Sequence, residues 1–144
     1  MTRRKLTGQF FRAILDCAIA DREGFFDANH RQDPGTERFL VALRALAAEF
    51  KQQGRISVTE DRIAIVANAF EFALLYEESY LDSLPKQDEQ RLAVAVRIAA
   101  IRWKFRDLFG TEPHRYARPP APKGAVALPV TGILAAKRAQ RSKR

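Results

Sequence analysis

Proline is almost missing from this chain before residue 113: of seven prolines, only Pro34 and Pro85 come earlier. A proline removes a backbone donor and clashes with the preceding helical turn, so its positions mark where helices stop. The windows between these two prolines and beyond them are long enough for helices of ordinary length. With 47% of residues hydrophobic, such helices have enough apolar surface to fill a core. The sequence therefore predicts an all-α fold, a bundle of four main helices with an extended basic C-terminal arm.

Apolar spacing at the helical period locates the four segments. The first helix is expected over about Leu6 to Arg22, with Phe10, Phe11, Ile14, Leu15, Ala18 and Ile19 on one face and Arg12 and Asp16 opposite. The stretch from Gly24 to Gly35 reads as a loop, whose Phe25 and Phe26 either plug the end of the bundle or anchor a partner. A second helix is expected from Pro34 or Thr36 to Gln53, opened by Asp33-Pro34 and closed by Gly54. Its apolar stripe of Phe39, Leu43, Leu46 and Phe50 is narrow.

The third helix is expected to start at a capping box, Ser57 to Glu60, and to run to Ser83. It is apolar around most of its circumference, so the other helices should pack around it. The fourth is predicted from about Ser83–Pro85 to Phe109, with Gly110 just past its end. Val94, Ile98, Ile101, Phe105 and Leu108 form one apolar face, and Leu92, Val96, Ala99 and Trp103 form another. Such a helix either sits between two neighbours or offers one face to a partner, and a central position is the expectation.

Charge divides the chain sharply. Residues 113–144 contain eight Lys or Arg and no acid, whereas residues 1–112 contain seventeen of each sign, so the net +8 belongs to the arm. The expected organisation is a helical domain over 1–112 followed by an arm over 113–144. Within that arm a Pro-rich linker leads to an apolar anchor segment and then to a basic tail.

Little in the sequence points to catalysis. His30 and His114 are the only histidines, neither has metal-ligand spacing, and a lone Cys17 in an apolar helical pattern reads as a buried structural residue. There is no Gly-rich phosphate loop and no G-x-S-x-G motif. Glu71, Glu78 and Asp82 share a strip of the third helix and read as a solvated acidic face. The expectation is a protein that is not an enzyme and needs no metal or cofactor.

The most apolar stretch, Ile63 to Tyr76, is too short for a bilayer and carries Asn68 and Glu71, so no membrane span is expected. Asp16 and Asp21 interrupt the only leader-like pattern, and no A-x-A-like cleavage site follows a long apolar run. A cytoplasmic protein is therefore expected.

A segment of one charge sign attracts polyanions. The sequence thus predicts a non-catalytic, nucleic-acid-binding accessory subunit of a larger nucleoprotein complex, contacting RNA or DNA backbones without sequence specificity. The predicted phosphate contacts are Arg91, Arg97, Arg102, Lys104 and Arg106 of the fourth helix, then Arg115, Arg118, Lys123, Lys137, Arg138, Arg141, Lys143 and Arg144. Tyr116 is a candidate for stacking on an unpaired base. The helix-four cations contribute only if they face solvent rather than pair with Glu77, Glu78 or Asp82. The alternative is a protein-binding adaptor or inhibitor anchored by Phe25, Phe26, Val126, Leu128, Val130, Ile133 and Leu134.

Overall fold

Glycine and proline set most of the element boundaries in the computed structural model, which describes residues 4–116. A short strand β1 (Arg4–Thr7) leads into α1 (Gly8–Ala28), then α2 (Pro34–Gln53) and a second strand β2 (Arg55–Val58). A 3-10 turn over Glu60–Arg62 precedes α3 (Ile63–Ser83), and α4 (Gln90–Phe109) completes the body. Among the described residues the fold is an all-α bundle of four helices, to which the two strands add one antiparallel pair.

That strand pair was not expected, and it displaces the predicted capping box. Leu6 pairs with Ile56, Lys5 with Ser57 and Arg4 with Val58, so Ser57 belongs to a ladder rather than to a helix cap. Leu6, Ile56 and Val58 are buried under the bundle. Four residues are too few for the strand period to stand out from the surrounding helical pattern.

α1 continues to Ala28, into the first part of the segment expected to be a loop, and the connection to α2 covers only residues 29–33. Gly24 in a helix interior costs about 1 kcal/mol relative to Ala, but burying Phe26 returns about 2–3 kcal/mol. Phe26 is 4% exposed. The helix ends only where His30 and Arg31 take positive φ angles of 57° and 56°. There the Arg31 N–H donates to the Phe26 carbonyl at 2.8 Å, and the Arg31 guanidinium lies 4.5 Å from the Phe26 ring centroid.

α2 begins and ends where the sequence predicts. The Asp33 carboxylate accepts from Gly35 N at 3.1 Å and Thr36 N at 3.3 Å, satisfying two of the orphan donors of the first turn. Gly54 closes the helix at φ 68°, donating to the Phe50 carbonyl at 2.7 Å. Its buried stripe is Leu40, Leu43, Leu46 and Phe50, with Phe39 half-buried beside it.

α3 is the centre of the bundle, packed against α1, α2 and α4. Val66, Ala69, Phe70, Ala73, Leu74 and Tyr76 are almost wholly inaccessible. Phe70 meets Phe11 of α1 on one side and Phe105 and Phe109 of α4 on another, at centroid separations of 6.1 to 6.3 Å.

α4 starts at Gln90, later than expected. Pro85 begins a turn, in which Asp88 N donates to the Pro85 carbonyl at 3.0 Å and the Asp88 carboxylate accepts from Gln90 N at 2.8 Å. The expectation of a central α4 is also overturned. This helix packs against α3, through Val94, Ile101 and Phe105, and stands at the edge of the bundle.

Candidate interaction surfaces

Each basic residue of α4 has a partner within the fold. Arg97 reaches the Glu77 carboxylate at 3.1 Å, and Arg102 reaches Glu78 at 2.9 Å. Arg91 donates from one guanidinium nitrogen to the carbonyls of Leu81 and Leu84, both at 2.9 Å. It thereby bonds carbonyls at the C-terminal end of α3, of which that of Leu81 also accepts from Leu84 N at 3.1 Å. Nearer the end of α4, Lys104 lies 3.6 Å from Asp107 and Arg106 lies 3.0 Å from Glu112. Of the cations that the sequence offers as a phosphate track, Arg91, Arg97 and Arg102 thus tie α4 to α3 and its C-terminal end, Arg106 reaches the following segment, and Lys104 pairs within α4 itself. For Arg97 and Arg102 this is the alternative the sequence held open, pairing with Glu77 and Glu78 of the third helix.

Where the chain leaves α4 it turns back across α3. Gly110 makes this turn at φ 74°, with its N–H donating to the Arg106 carbonyl at 2.8 Å. His114 N then donates to the Glu71 carboxylate at 2.5 Å, and Arg115 reaches Glu78 at 3.2 Å. Tyr116 stacks on Phe72, with ring centroids 4.7 Å apart and an interplanar angle of 21°. The acidic strip expected to face solvent therefore receives the root of the arm, and Glu71 is only 8% exposed. The Tyr116 ring, read from sequence as a base-stacking group, is engaged within the protein. Burial raises its hydroxyl pKa, helped by the neighbouring Glu71 charge.

The two apolar faces of α4 have different fates. Val94, Ile98, Ile101 and Phe105 face α3, spaced by four, three and four residues. Leu92, Val96, Ala99 and Trp103 repeat that spacing two residues earlier, about 200° around the helix. They lie on the outside: Leu92 is 75% exposed, Val96 59% and Trp103 62%. Ala93 and Ala95 flank this stripe and are exposed too. The face was visible in the sequence, but its exposure depends on α4 standing at the edge.

Of the predicted aromatic anchors, Phe26 is enclosed, and the Arg22 guanidinium lies 4.6 Å from the Phe25 ring centroid. Phe26 is thus withdrawn from any exposed anchoring role. Arg118, Lys123, Lys137, Arg138, Arg141, Lys143 and Arg144 lie outside the described residues, as do Val126, Leu128, Val130, Ile133 and Leu134.

A shallow groove of about 450 Å³ opens between the start of α1 and the end of α2, where Arg12, Asp16 and Lys51 surround a floor of Leu15 and Phe50. Burial raises the Asp16 pKa against the opposing pull of Arg12. Among the described residues, no group of three or more His, Cys, Asp or Glu side chains is placed to hold a metal ion. Nor is any helix among them long and apolar enough to cross a membrane. Comparison with protein families, curated proteins and solved structures finds no match to this chain.

Proposed function

We propose that this protein is a non-catalytic accessory subunit of a nucleoprotein complex, in which the helical body contacts protein and the C-terminal arm contacts nucleic-acid phosphates without sequence specificity. The carrying observation is the separation of charge: residues 1–112 balance at seventeen of each sign, and residues 113–144 hold eight cations with no acid. The pairing of Arg97 and Arg102 with α3 carboxylates supports this division of labour, since it engages these two in joining the helices. Phosphate contact is accordingly assigned to Arg118, Lys123, Lys137, Arg138, Arg141, Lys143 and Arg144. A cytoplasmic setting is part of the proposal, in keeping with a single, buried cysteine that forms no disulfide among the described residues.

Fluorescence anisotropy of full-length protein with single-stranded RNA and duplex DNA, over a salt series, tests this reading. Six to eight phosphate contacts predict an affinity loss of about a thousandfold or more between about 50 and 200 mM salt. Absence of binding to either probe at low salt refutes it. So does binding that survives replacement of Lys137, Arg138, Arg141, Lys143 and Arg144 by Gln with its salt slope unchanged.

One observation favours a second reading, a protein-binding adaptor: the exposed stripe of Leu92, Val96 and Trp103 on α4. Aromatic and aliphatic anchors of this kind dominate protein interfaces. Binding through them depends weakly on salt, which separates the two readings in the same titration.

A further inference from the structure

We propose that the outer face of α4 is a self-association surface, on which a second copy of this chain packs its own α4 in the antiparallel direction. This inference is independent of nucleic-acid binding by the arm.

Its basis is the symmetry of the stripe. Leu92, Val96, Ala99 and Trp103 follow a four-three-four spacing, the seam of a two-helix coiled coil. Turned end over end, that spacing maps onto itself. Each Leu92 then lies opposite the second copy's Trp103, and each Val96 opposite the second copy's Ala99. The large indole meets leucine at both ends, and the small Ala99 lets the two backbones approach at the middle. Ala93, Ala95 and Ala100 on the flanks keep bulky side chains out of that approach.

Charge selects the direction. Continuing the seam by three residues at either end reaches Glu89 and Arg106, both exposed. Antiparallel pairing brings each Glu89 to the second copy's Arg106, so opposite charges close both ends of the seam. Parallel pairing would instead place Glu89 against Glu89 and Arg106 against Arg106. Arg106 meets Glu112 at 3.0 Å in the single chain, a surface contact that a second carboxylate can share.

The spacing also argues for a helix as occupant. A four-three-four seam accepts helical knobs, whereas the chain's own apolar run at 125–136 carries Pro129 and Gly132, which disfavour a helix. One helix pair buries an area near the low end of stable interfaces, about 1,000 Å². The association is therefore expected in the micromolar range and weakens on dilution.

Sedimentation of the full-length protein from about 1 µM to about 1 mM tests the proposal, alongside the emission of Trp103, the chain's one tryptophan. The expected result is a monomer–dimer equilibrium, with Trp103 emission shifting to the blue as dimer forms. Val96→Glu should abolish the dimer and keep the helical circular dichroism, because Val96 is 59% exposed in the single chain. Should that variant lose helicity, Leu92→Gln at the 75% exposed end reads the same loss.

Glu89→Arg alone should weaken association about tenfold or more by setting like charges together, and adding Arg106→Glu should restore it. A wild-type chain that stays monomeric throughout the range overturns the proposal. Self-association unchanged by Val96→Glu in a folded variant also overturns it. A monomer with Trp103 shielded from solvent would do the same, assigning the stripe to the chain's own arm.

Discussion

Arg97 and Glu77 join α4 to the centre of the bundle, with nitrogen and oxygen 3.1 Å apart and side-chain exposures of 36% and 2%. The carboxylate is therefore almost wholly desolvated while the guanidinium keeps some water. Cys17 of α1 donates its thiol to the same carboxylate at 3.5 Å, so Glu77 is a polar junction of three helices. Such a pair contributes modestly when intact but is costly to break on one side.

Replacing Arg97 by Met leaves Glu77 buried without its cation. The expected loss is on the order of 3 kcal/mol of unfolding free energy, read from urea denaturation at neutral pH. Adding Glu77→Gln should recover much of it, because the stranded charge is removed with its partner. A double-mutant cycle gives the coupling directly. Additive losses would show that the pair does not hold α4 in place.

Much of the fold was legible because helix breakers and apolar spacing are local signals. Asp33, Pro34, Gly54 and Gly110 mark the ends where the structure places them, and the apolar circumference of α3 correctly makes it central. Three features were not legible. α1 overruns Gly24 because Phe26 finds a tertiary pocket, β1 and β2 are too short to show a period, and α4 has its outer face exposed among the described residues. The cations of α4 could be identified from sequence, and Glu77 and Glu78 were among the partners it offered, but whether the cations face solvent or pair with them depends on how α4 docks on α3. A helix projection shows which residues share a face. It does not show which face meets another helix.

Asp21 gives the protein a pH dependence of definite sign. It is 3% exposed, and burial pushes its carboxyl up to about 6 even though Arg22 beside it pulls the other way. A carboxyl with a higher pKa in the folded state binds its proton more tightly there. Its contribution to stability is thus full below about 4, falls as pH rises, and is gone above about 6. The change across that window is on the order of 2–3 kcal/mol.

Asp16, raised by burial as well, acts in the same sense. Glu49, held below its ordinary value by hydrogen bonding to Arg62, acts in the opposite sense and at lower pH. Asp21→Asn should flatten most of the decline between pH 4 and 6 while keeping an oxygen for Arg22. Thermal unfolding across this range checks it, and an unchanged slope in the variant would remove Asp21 as the cause.

Tyr116 fastens the root of the arm, and its removal should have a local effect larger than its global one. Stacking on Phe72 holds the ring beside Arg22, whose guanidinium lies 3.8 Å from the same Phe72 centroid. Tyr116→Ala should cost about 1 kcal/mol of global stability. It should also release the His114 N–H from the Glu71 carboxylate and speed hydrogen exchange there. Trypsin cleavage after Arg115 should accelerate in parallel. If neither exchange nor cleavage changes, the segment is held by Glu71 and Glu78 without the aromatic stack.

Neutralising cations in the body and in the arm should change different observables. Arg102 spans to Glu78 at 2.9 Å, and Arg115 shares that carboxylate at 3.2 Å. Arg102→Gln therefore removes an ion pair between α4 and α3 and should lower stability by about 1 kcal/mol, in proportion to its partial exposure. It should leave the salt dependence of RNA or DNA binding unaltered, since a cation committed to Glu78 releases no counterion from a phosphate. Replacing Lys143 and Arg144 by Gln should do the reverse. The slope of log affinity against log salt falls by about 0.7 to 0.9 for each phosphate no longer neutralised, with unfolding unchanged. A shift in that slope with Arg102→Gln would mean that α4 exchanges its carboxylate partners for phosphates on binding, and the body would then share the work assigned to the arm.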